Sequence, residues 1–104
     1  MTFKDKTIVF NPNQYTSKIE AVVDEIWSSI NLEPVCTSGN DGKHGDKSLH
    51  YEDRALDIRF WDVLDSFAKR IRLNLPAYYD VIVEKDHFHI EADPKKEALC
   101  NKKT

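Results

Sequence analysis

The stretch RALDIRF, residues 54–60, does most to limit the folds open to this chain of 104 residues. Side chains of a β-strand alternate between the two faces of its sheet. A strand here therefore places Leu56, Ile58 and Phe60 on one face and Asp57 on the other. The first face suits a hydrophobic core, whereas Asp57 on the second face needs an explanation of its own.

Two further segments have the period of amphipathic helices. The first helix is predicted over residues 16–31, where Ser17 and Glu20 fit a capping box in which each side chain satisfies the other's free backbone N–H. Its buried stripe consists of Ile19, Val22, Val23, Ile26, Trp27 and Ile30. The second helix follows RALDIRF and ends at Pro76. Its buried stripe consists of Trp61, Leu64, Phe67, Ala68, Ile71 and Leu75.

Short β-rich runs make up much of the rest of the chain. TIVF at residues 7–10 predicts a first strand, and PVCTS at 34–38 predicts another. YYDVIVE at 78–84 and HFHIE at 87–91 predict a hairpin or a sharply bent strand pair. Strands and helices do not alternate as they do in a parallel doubly wound sheet. We therefore predict an α+β fold, with a small antiparallel sheet and two main helices packed on one side.

The length of the chain corresponds to one domain, which we place over residues 1–104. The charged tail over residues 94–104 is expected to be frayed, or a short helix at most. Two cysteines, Cys36 and Cys100, are too few for a disulfide framework. Their thiols are expected to be reduced.

Composition narrows the classes of function. Apolar residues make up 40% and charged residues 32% of the chain, as in a soluble globular domain. A formal charge of −3 gives no reason to expect nucleic-acid binding. No apolar run approaches membrane-spanning length, and the N-terminus lacks the apolar segment of a secretory signal. We therefore expect a protein made and left in the cytoplasm, and a monomer, although the sequence does not fix its oligomeric state.

The histidines and one aspartate suggest a metal site. The imidazoles of His87 and His89 point to the same face of a strand, because the side-chain period is two. Pairing that strand with RALDIRF would bring Asp57 and His89 onto one surface, which His50 could reach from a loop. Zinc takes such nitrogen and oxygen ligands, and a catalytic zinc keeps one open position. Neither the H-x-H segment nor the His50–Asp57 segment alone is strong evidence for a metal site. H-x-H also occurs as an exposed pair, and His50 could be an ordinary loop residue.

The two segments that carry these residues resemble the sequence motifs of a known family. SLHYEDRALDIRF resembles the S-x-H-x(6)-D signature of the zinc D-Ala-D-Ala metallopeptidases. These enzymes share a superfamily with lysostaphin-type peptidases and the Hedgehog signalling domain. DHFHIE resembles their second motif, an acid followed by H-x-H, and the two motifs occur in the family's order. The resemblance covers residues 35–91.

The resemblance implies a role for each residue of the two motifs. One Zn²⁺ would be held by His50, Asp57 and His89. Asp86 stands where the family places its catalytic acid and base, which takes a proton from metal-activated water and passes it to the leaving amine. His87 would lie beside the metal and stabilise the developing oxyanion.

Several polar residues have weaker assignments. Ser48, the serine of S-x-H, is a candidate hydrogen-bond partner near the ligands. Asp41 stands where many family members carry an arginine that grips the substrate's carboxylate. Arg54 and Arg59 are candidate substitutes for that arginine, and each is more often a surface charge. His44 is a candidate for the wall of a substrate cleft or an ordinary loop residue.

The resemblance implies a zinc peptidase that cuts bacterial peptidoglycan stem peptides, as a D,D-carboxypeptidase or an L-Ala-D-Glu-type endopeptidase. Small size and the lack of an export signal favour a bacteriophage endolysin or virion component that reaches the cell wall by another route, with a bacterial enzyme as the alternative. A second hypothesis is a catalytically silent zinc-binding interaction module of Hedgehog type. A third is an α+β domain whose histidines are incidental. The sequence does not decide which peptide bond would be cut.

Overall fold

The structure, a computed structural model, describes residues 1–42, 48–60 and 66–102. It confirms the α+β fold class. The strands are β1 (Thr2–Phe3), β2 (Val35–Ser38), β3 (Ala55–Arg59), β4 (Tyr79–Val83) and β5 (His87–Ala92). The helices are α1 (Gln14–Ser28), α2 (Phe67–Asn74) and α3 (Pro94–Lys102), with a single 3₁₀ turn at Leu49–Glu52.

The five strands form one sheet in the order β1-β2-β3-β5-β4. The short β1 is parallel to β2, and the other neighbours are antiparallel. β4 and β5 form a hairpin, closed where the Glu84 backbone N–H donates to the carbonyl of His87 at 2.9 Å. β3 and β5 lie side by side inside the sheet, so these two strands are fixed by neighbours on both edges.

The hydrophobic core lies between the sheet and helices α1 and α2. Its strand side chains are Cys36, Leu56, Ile58, Tyr79, Val81, Phe88, Ile90 and Ala92. Trp27 of α1 makes edge-to-face contacts with Phe67 of α2 and with Phe88, with ring centroids 5.4 and 6.0 Å apart. Each large apolar side chain buried here contributes about 1.5–3 kcal/mol. Burial also raises the pKa of the Cys36 thiol to about 12, so this cysteine is not a nucleophile at neutral pH.

Helix α1 begins earlier than its capping-box pattern predicts. The N-cap is Asn13, whose side-chain oxygen accepts from the backbone N–H groups of Tyr15 and Thr16 at 2.7 and 3.0 Å. The Thr16 hydroxyl accepts from the Asn13 N–H at 3.1 Å, which completes the box. Ser17 already lies inside the helix, since its N–H donates to the Asn13 carbonyl. Asparagine is a better N-cap than most residues, and here it acts four positions before the predicted one.

Two other predicted elements differ from the observed ones. The first strand is Thr2–Phe3, and residues 8–10 are irregular because Val9 bonds to the 39–41 loop instead of to a strand. Helix α2 ends before Pro76, as predicted, and buries Phe67, Ala68 and Ile71. Trp61 and Leu64, which were assigned to its buried stripe, lie outside the described residues.

The C-terminal tail forms helix α3 where a frayed tail or a short helix was expected. Glu97 in its first turn accepts a hydrogen bond from the Arg54 guanidinium at 2.8 Å and another from the Tyr15 hydroxyl at 2.8 Å. Arg54 also donates to the carbonyl of Ala92 at 2.8 Å and stacks over the Tyr15 ring. The helix is therefore attached to both α1 and β5. No helix within the described ranges has the length and apolar character needed to cross a membrane.

Candidate metal centre

The register of two strands places the first pair of predicted ligands. β3 and β5 are antiparallel, and Asp57 lies directly opposite His89. Both side chains point to the sheet face opposite the one that carries Leu56 and Phe88 into the core. The polar faces of RALDIRF and HFHIE thus lie next to each other on the same side of the sheet, which explains the position of Asp57.

His50 reaches the same point from the 3₁₀ turn. The Ser48 hydroxyl caps this turn by accepting from the His50 backbone N–H at 3.2 Å, and the His50 side chain is fully buried. His50 Nε2 lies 3.2 Å from Asp57 Oδ1 and 3.2 Å from His89 Nδ1. His89 Nδ1 lies 3.0 Å from Asp57 Oδ1. These three atoms are within 4.8 Å of one another and form a group that could hold a metal ion.

The outer hydrogen bonds of both imidazoles fit a bound cation. His50 Nδ1 lies 2.8 Å from the carbonyl oxygen of Gly39, which can only accept. His89 Nε2 lies 2.6 Å from the Glu91 carboxylate, also an acceptor. Each outer nitrogen faces an acceptor, so a neutral ring that donates there leaves its inner nitrogen with a lone pair that a metal can bind. The three inner atoms converge where a positive charge would be stabilised, and orienting bonds of this kind are typical of metal-binding histidines.

Without a metal, a proton supplies part of that charge. Burial works against the charged form of His89, but hydrogen bonds to Asp57 and Glu91 outweigh it and raise the pKa of the imidazole. Burial likewise works against the charged form of Asp57, yet its hydrogen bonds to His50 and His89 outweigh burial and hold the pKa of this carboxyl well below its usual range. The cluster thus keeps Asp57 anionic and attracts a cation.

His87 and Asp86 lie at the rim of the cluster. His87 Nδ1 donates to the Asp86 carboxylate at 2.8 Å, and its Nε2 lies 3.8 Å from Asp57 Oδ1. The pKa of Asp86 is lowered, chiefly by this hydrogen bond, and the carboxylate is 68% exposed. A cleft of about 270 Å³ opens beside them. The cleft is lined by Lys4, Thr37, Ser38, Asp57, Arg59, Asp86 and His87.

The residues with weaker assignments are scattered. Ser48 bonds to the backbone of a candidate ligand, at the 3₁₀ turn. Arg54 is engaged with Tyr15 and Glu97, away from the cluster, and Arg59 lies on the cleft wall. His44 lies outside the described residues.

Two residues of the site were not identified from the sequence. Glu91 orients His89, and the spacing of two along a strand, which places both on one face, could have pointed to it. Gly39 orients His50 through its carbonyl, and no feature of a single sequence indicates which carbonyl a histidine will reach.

The α+β fold and its His–Asp–His group define the class of protein, the superfamily that unites the Hedgehog domain and the D-Ala-D-Ala peptidases. A family model of the Hedgehog amino-terminal signalling domain matches residues 3–93, and the chain belongs to this family. Indian hedgehog protein from Gallus gallus is 32% identical over 79 residues, which cover 75% of this chain and 19% of that protein. Indian hedgehog B protein from Danio rerio is 30% identical over 83 residues, which cover 79% of this chain and 20% of that protein. The chain thus spans about a fifth of the length of these curated relatives.

These matches correct the functional interpretation of the motifs. The hypothesis of a bacteriophage endolysin that degrades the cell wall is wrong, because the matched family and relatives are Hedgehog signalling proteins. A peptidoglycan partner and a lysis enzyme left in the cytoplasm are wrong for the same reason. The two motifs supply a His–Asp–His group that could hold a metal, and they do not by themselves distinguish a peptidase from a signalling domain.

Proposed function

We propose that this domain is a Hedgehog-type interaction module that holds one zinc ion through His50, Asp57 and His89 and binds a signalling partner at the adjacent cleft. The convergence of the two inner imidazole nitrogens on Asp57 Oδ1 carries the proposal. Imidazole and carboxylate ligands suit zinc, and three protein ligands leave one position open.

The main contribution of zinc would be to folding and binding. His50 comes from a turn, whereas Asp57 and His89 come from two strands, so a shared ion ties three segments together. Binding of a metal to the folded state alone adds its binding free energy to the stability of the fold. The open ligand position and the cleft beside it would face a partner.

Metal binding is tested by titrating metal-free protein with zinc in competition with a chromophoric chelator. We expect one tightly held ion per chain, and we expect His89→Ala and Asp57→Asn to abolish tight binding. His87→Ala is the matched control, because His87 lies on the same strand outside the cluster, and it should retain the ion. Equal zinc affinity in the wild type and His89→Ala would exclude this site.

Partner binding is tested with a receptor ectodomain that binds the signalling domain of Indian hedgehog protein from Gallus gallus. We expect the zinc-loaded domain to bind this ectodomain and the metal-free domain to bind it less tightly. Replacement of Arg59 by Glu on the cleft wall should also weaken binding, without changing zinc content. Zinc-loaded protein that shows no binding to any such ectodomain would contradict the partner class and leave the metal site standing.

Zinc-dependent peptide hydrolysis is the second candidate, and the pairing of His87 with Asp86 favours it. Zinc in such a site acidifies water and polarises a carbonyl. The Asp86 carboxylate orients His87 so that Nε2 faces the cluster, which places an imidazole where a proton would have to be accepted or donated. The lowered pKa of Asp86 makes this carboxylate itself a weak base, which is why we rank binding first.

Hydrolysis is tested by incubating zinc-loaded protein with a mixed peptide library and identifying products by mass spectrometry. Products that form with the wild type and disappear in both His87→Ala and His89→Ala would establish a hydrolase. Full zinc content without products would leave the interaction module as the function.

A further inference from the structure

We propose that Asp41 is a positioning residue of the metal centre, which holds the Gly39 carbonyl where it fixes the ring orientation and tautomer of His50. The inference rests on the proposed zinc site and adds a requirement to it. Asp41 does not belong to the His50–Asp57–His89 group, and it reaches the carbonyl of Gly39 through the backbone N–H of the same residue.

Asp41 attaches its loop to a distant segment of the chain. Asp41 Oδ1 accepts from the backbone N–H of Gly39 and from that of Val9, both at 2.8 Å. The Asn40 N–H donates to the Val9 carbonyl, also at 2.8 Å. These three hydrogen bonds hold the loop in place together with those made by the Ser38 hydroxyl and the Asn40 side chain. Asp41 Oδ1 accepts two of the three.

Gly39 fits its place only because it has no side chain. A Cβ atom at this position would lie 2.1 Å from the carbonyl oxygen of Val9, a backbone atom that cannot yield as a flexible side chain would. The loop thus packs tightly against residue 9. The Gly39 carbonyl is left pointing at His50 Nδ1, 2.8 Å away.

The direction of this carbonyl decides which nitrogen of His50 is available. A neutral imidazole carries one proton, on either Nδ1 or Nε2. With the proton on Nε2, His50 would donate to Asp57 Oδ1 at 3.2 Å and occupy the place of the metal. That tautomer would also turn the bare Nδ1 towards the Gly39 oxygen, which cannot donate. The loop held by Asp41 therefore favours the tautomer in which Nε2 carries a lone pair that a metal can bind.

The test compares Asp41→Ala, Asp41→Asn and Gly39→Ala with wild-type protein. Asp41→Asn keeps an oxygen that can accept both N–H groups, whereas Gly39→Ala moves the same carbonyl and leaves Asp41 intact. Asp5→Ala is the matched control, because Asp5 accepts from the backbone N–H of Thr7 at 2.8 Å in a similar local bond, on a segment that carries none of the three candidate ligands. Each protein is measured for zinc affinity by chelator competition and, metal-free, for the ring ¹⁵N shifts of His50, which distinguish the two tautomers.

We expect zinc affinity to fall about 10- to 100-fold in Asp41→Ala and Gly39→Ala, as for other changes to the groups that orient metal ligands. The ¹⁵N shifts of His50 should move towards the Nε2–H form in both variants. Asp41→Asn and Asp5→Ala should stay close to wild type. Should Asp41→Ala fail to fold, Gly39→Ala decides the question.

Wild-type affinity in both loop variants would overturn the inference. Weaker binding with unchanged His50 shifts would overturn it too, because the loss would then come from general destabilisation. Failure of the wild type itself to bind zinc would contradict the proposed function instead, so the two failures are distinguishable.

Discussion

Glu91 shows how a residue outside the ligand group controls the candidate ligand atoms. Its carboxylate accepts from His89 Nε2 at 2.6 Å, and both side chains lie on the same face of β5. The hydrogen bond fixes the ring of His89 and makes the inner nitrogen a stronger electron donor.

We predict that Glu91→Ala lowers the zinc affinity roughly 10- to 100-fold, because His89 loses the partner that orients it. Chelator competition measures the change. Glu84→Ala is the control, since Glu84 is exposed just beyond the end of β4, and it should leave the affinity unchanged. Equal losses in both variants would show that net charge, and not the bond to His89, sets the affinity.

At the residue scale, the sequence predicts partners across strands better than partners across loops. Asp57 and His89 could be placed on one surface because a strand alternates its side chains with a fixed period. The contact of His50 with the Gly39 carbonyl depends on the path of an irregular loop, which no periodic pattern describes. The same holds for Asp41, whose position suggested a lost arginine and whose bonds to backbone N–H groups became visible only in the fold.

At the scale of single elements, the start of α1 illustrates how two capping signals compete. Ser17 with Glu20 satisfies one pattern, and Asn13 with Thr16 satisfies another within four residues. Asn13 prevails, and its side chain also donates to the carbonyl of Asp53 at 2.7 Å. That second bond joins the helix start to the end of the turn that carries His50, so tertiary contact selects between locally similar caps.

Removing the observed cap should therefore cost more stability than removing the predicted one. We expect Asn13→Ala to lower the free energy of unfolding by about 1–2 kcal/mol, because two N–H groups of the first turn lose their acceptor. Ser17→Ala, on the exposed face of α1, should change it by no more than about 0.5 kcal/mol. Chemical denaturation of metal-free protein measures both. The opposite ranking would mean that the helix begins at the later position.

One arginine contributes two of the contacts that attach helix α3 to the rest of the domain. Arg54 bridges Glu97 of α3 and the carbonyl of Ala92, and it stacks over Tyr15. The pKa of Glu97 is lowered, first by its hydrogen bond to Arg54 and then by the bond from Tyr15. The arginine is thus part of a structural contact and is not directed at the cleft.

We predict that Arg54→Ala speeds amide hydrogen exchange across residues 94–102 and leaves zinc affinity unchanged, because the cluster and α3 have no shared side chain. Mass spectrometry of deuterated fragments measures the exchange. Lys96→Ala removes an exposed ion pair with Asp80 from the same helix and should alter exchange far less. Loss of zinc affinity in Arg54→Ala would show instead that the attachment of α3 supports the candidate metal centre.

At the scale of the whole molecule, the sheet separates the hydrophobic core from the metal centre. One face packs on α1 and α2, while the other carries Asp57, His87 and His89. The hydrophobic contribution to stability changes little with pH, whereas the contributions of Asp57 and His89 on the second face depend on whether these groups are protonated. Stability of the metal-free and zinc-loaded protein should therefore depend on pH in opposite ways.

The metal-free protein should lose stability as the pH rises from about 6.5, the ordinary value of histidine, through the raised pKa of His89. Below that range the protonated ring is stabilised by Asp57 and Glu91, and above it this contribution disappears. The lowered pKa of Asp57 acts at the other end, where its contribution is lost as the pH falls below about 4. Thermal unfolding between pH 3 and 9, in the presence of a chelator, measures both limits.

Bound zinc should reverse the change in stability that the metal-free protein shows as the pH rises above about 6.5. The metal requires the inner nitrogens without protons, so zinc stabilisation should grow over the same range in which the metal-free protein weakens. Matched melting curves with excess zinc measure the difference. Zinc stabilisation that stays constant from pH 6 to 8 would mean that no histidine releases a proton on binding.

The register of β3 and β5 determines whether the candidate metal ligands lie together. Asp57 meets His89 only when the two strands are aligned as they are here, and a slip of one residue would set Asp57 opposite a core side chain such as Phe88 or Ile90. A mispaired sheet would lack two adjacent ligands and could not chelate. An ion held by all three residues would therefore bind, and so stabilise, only those chains whose β3 and β5 pair in this register.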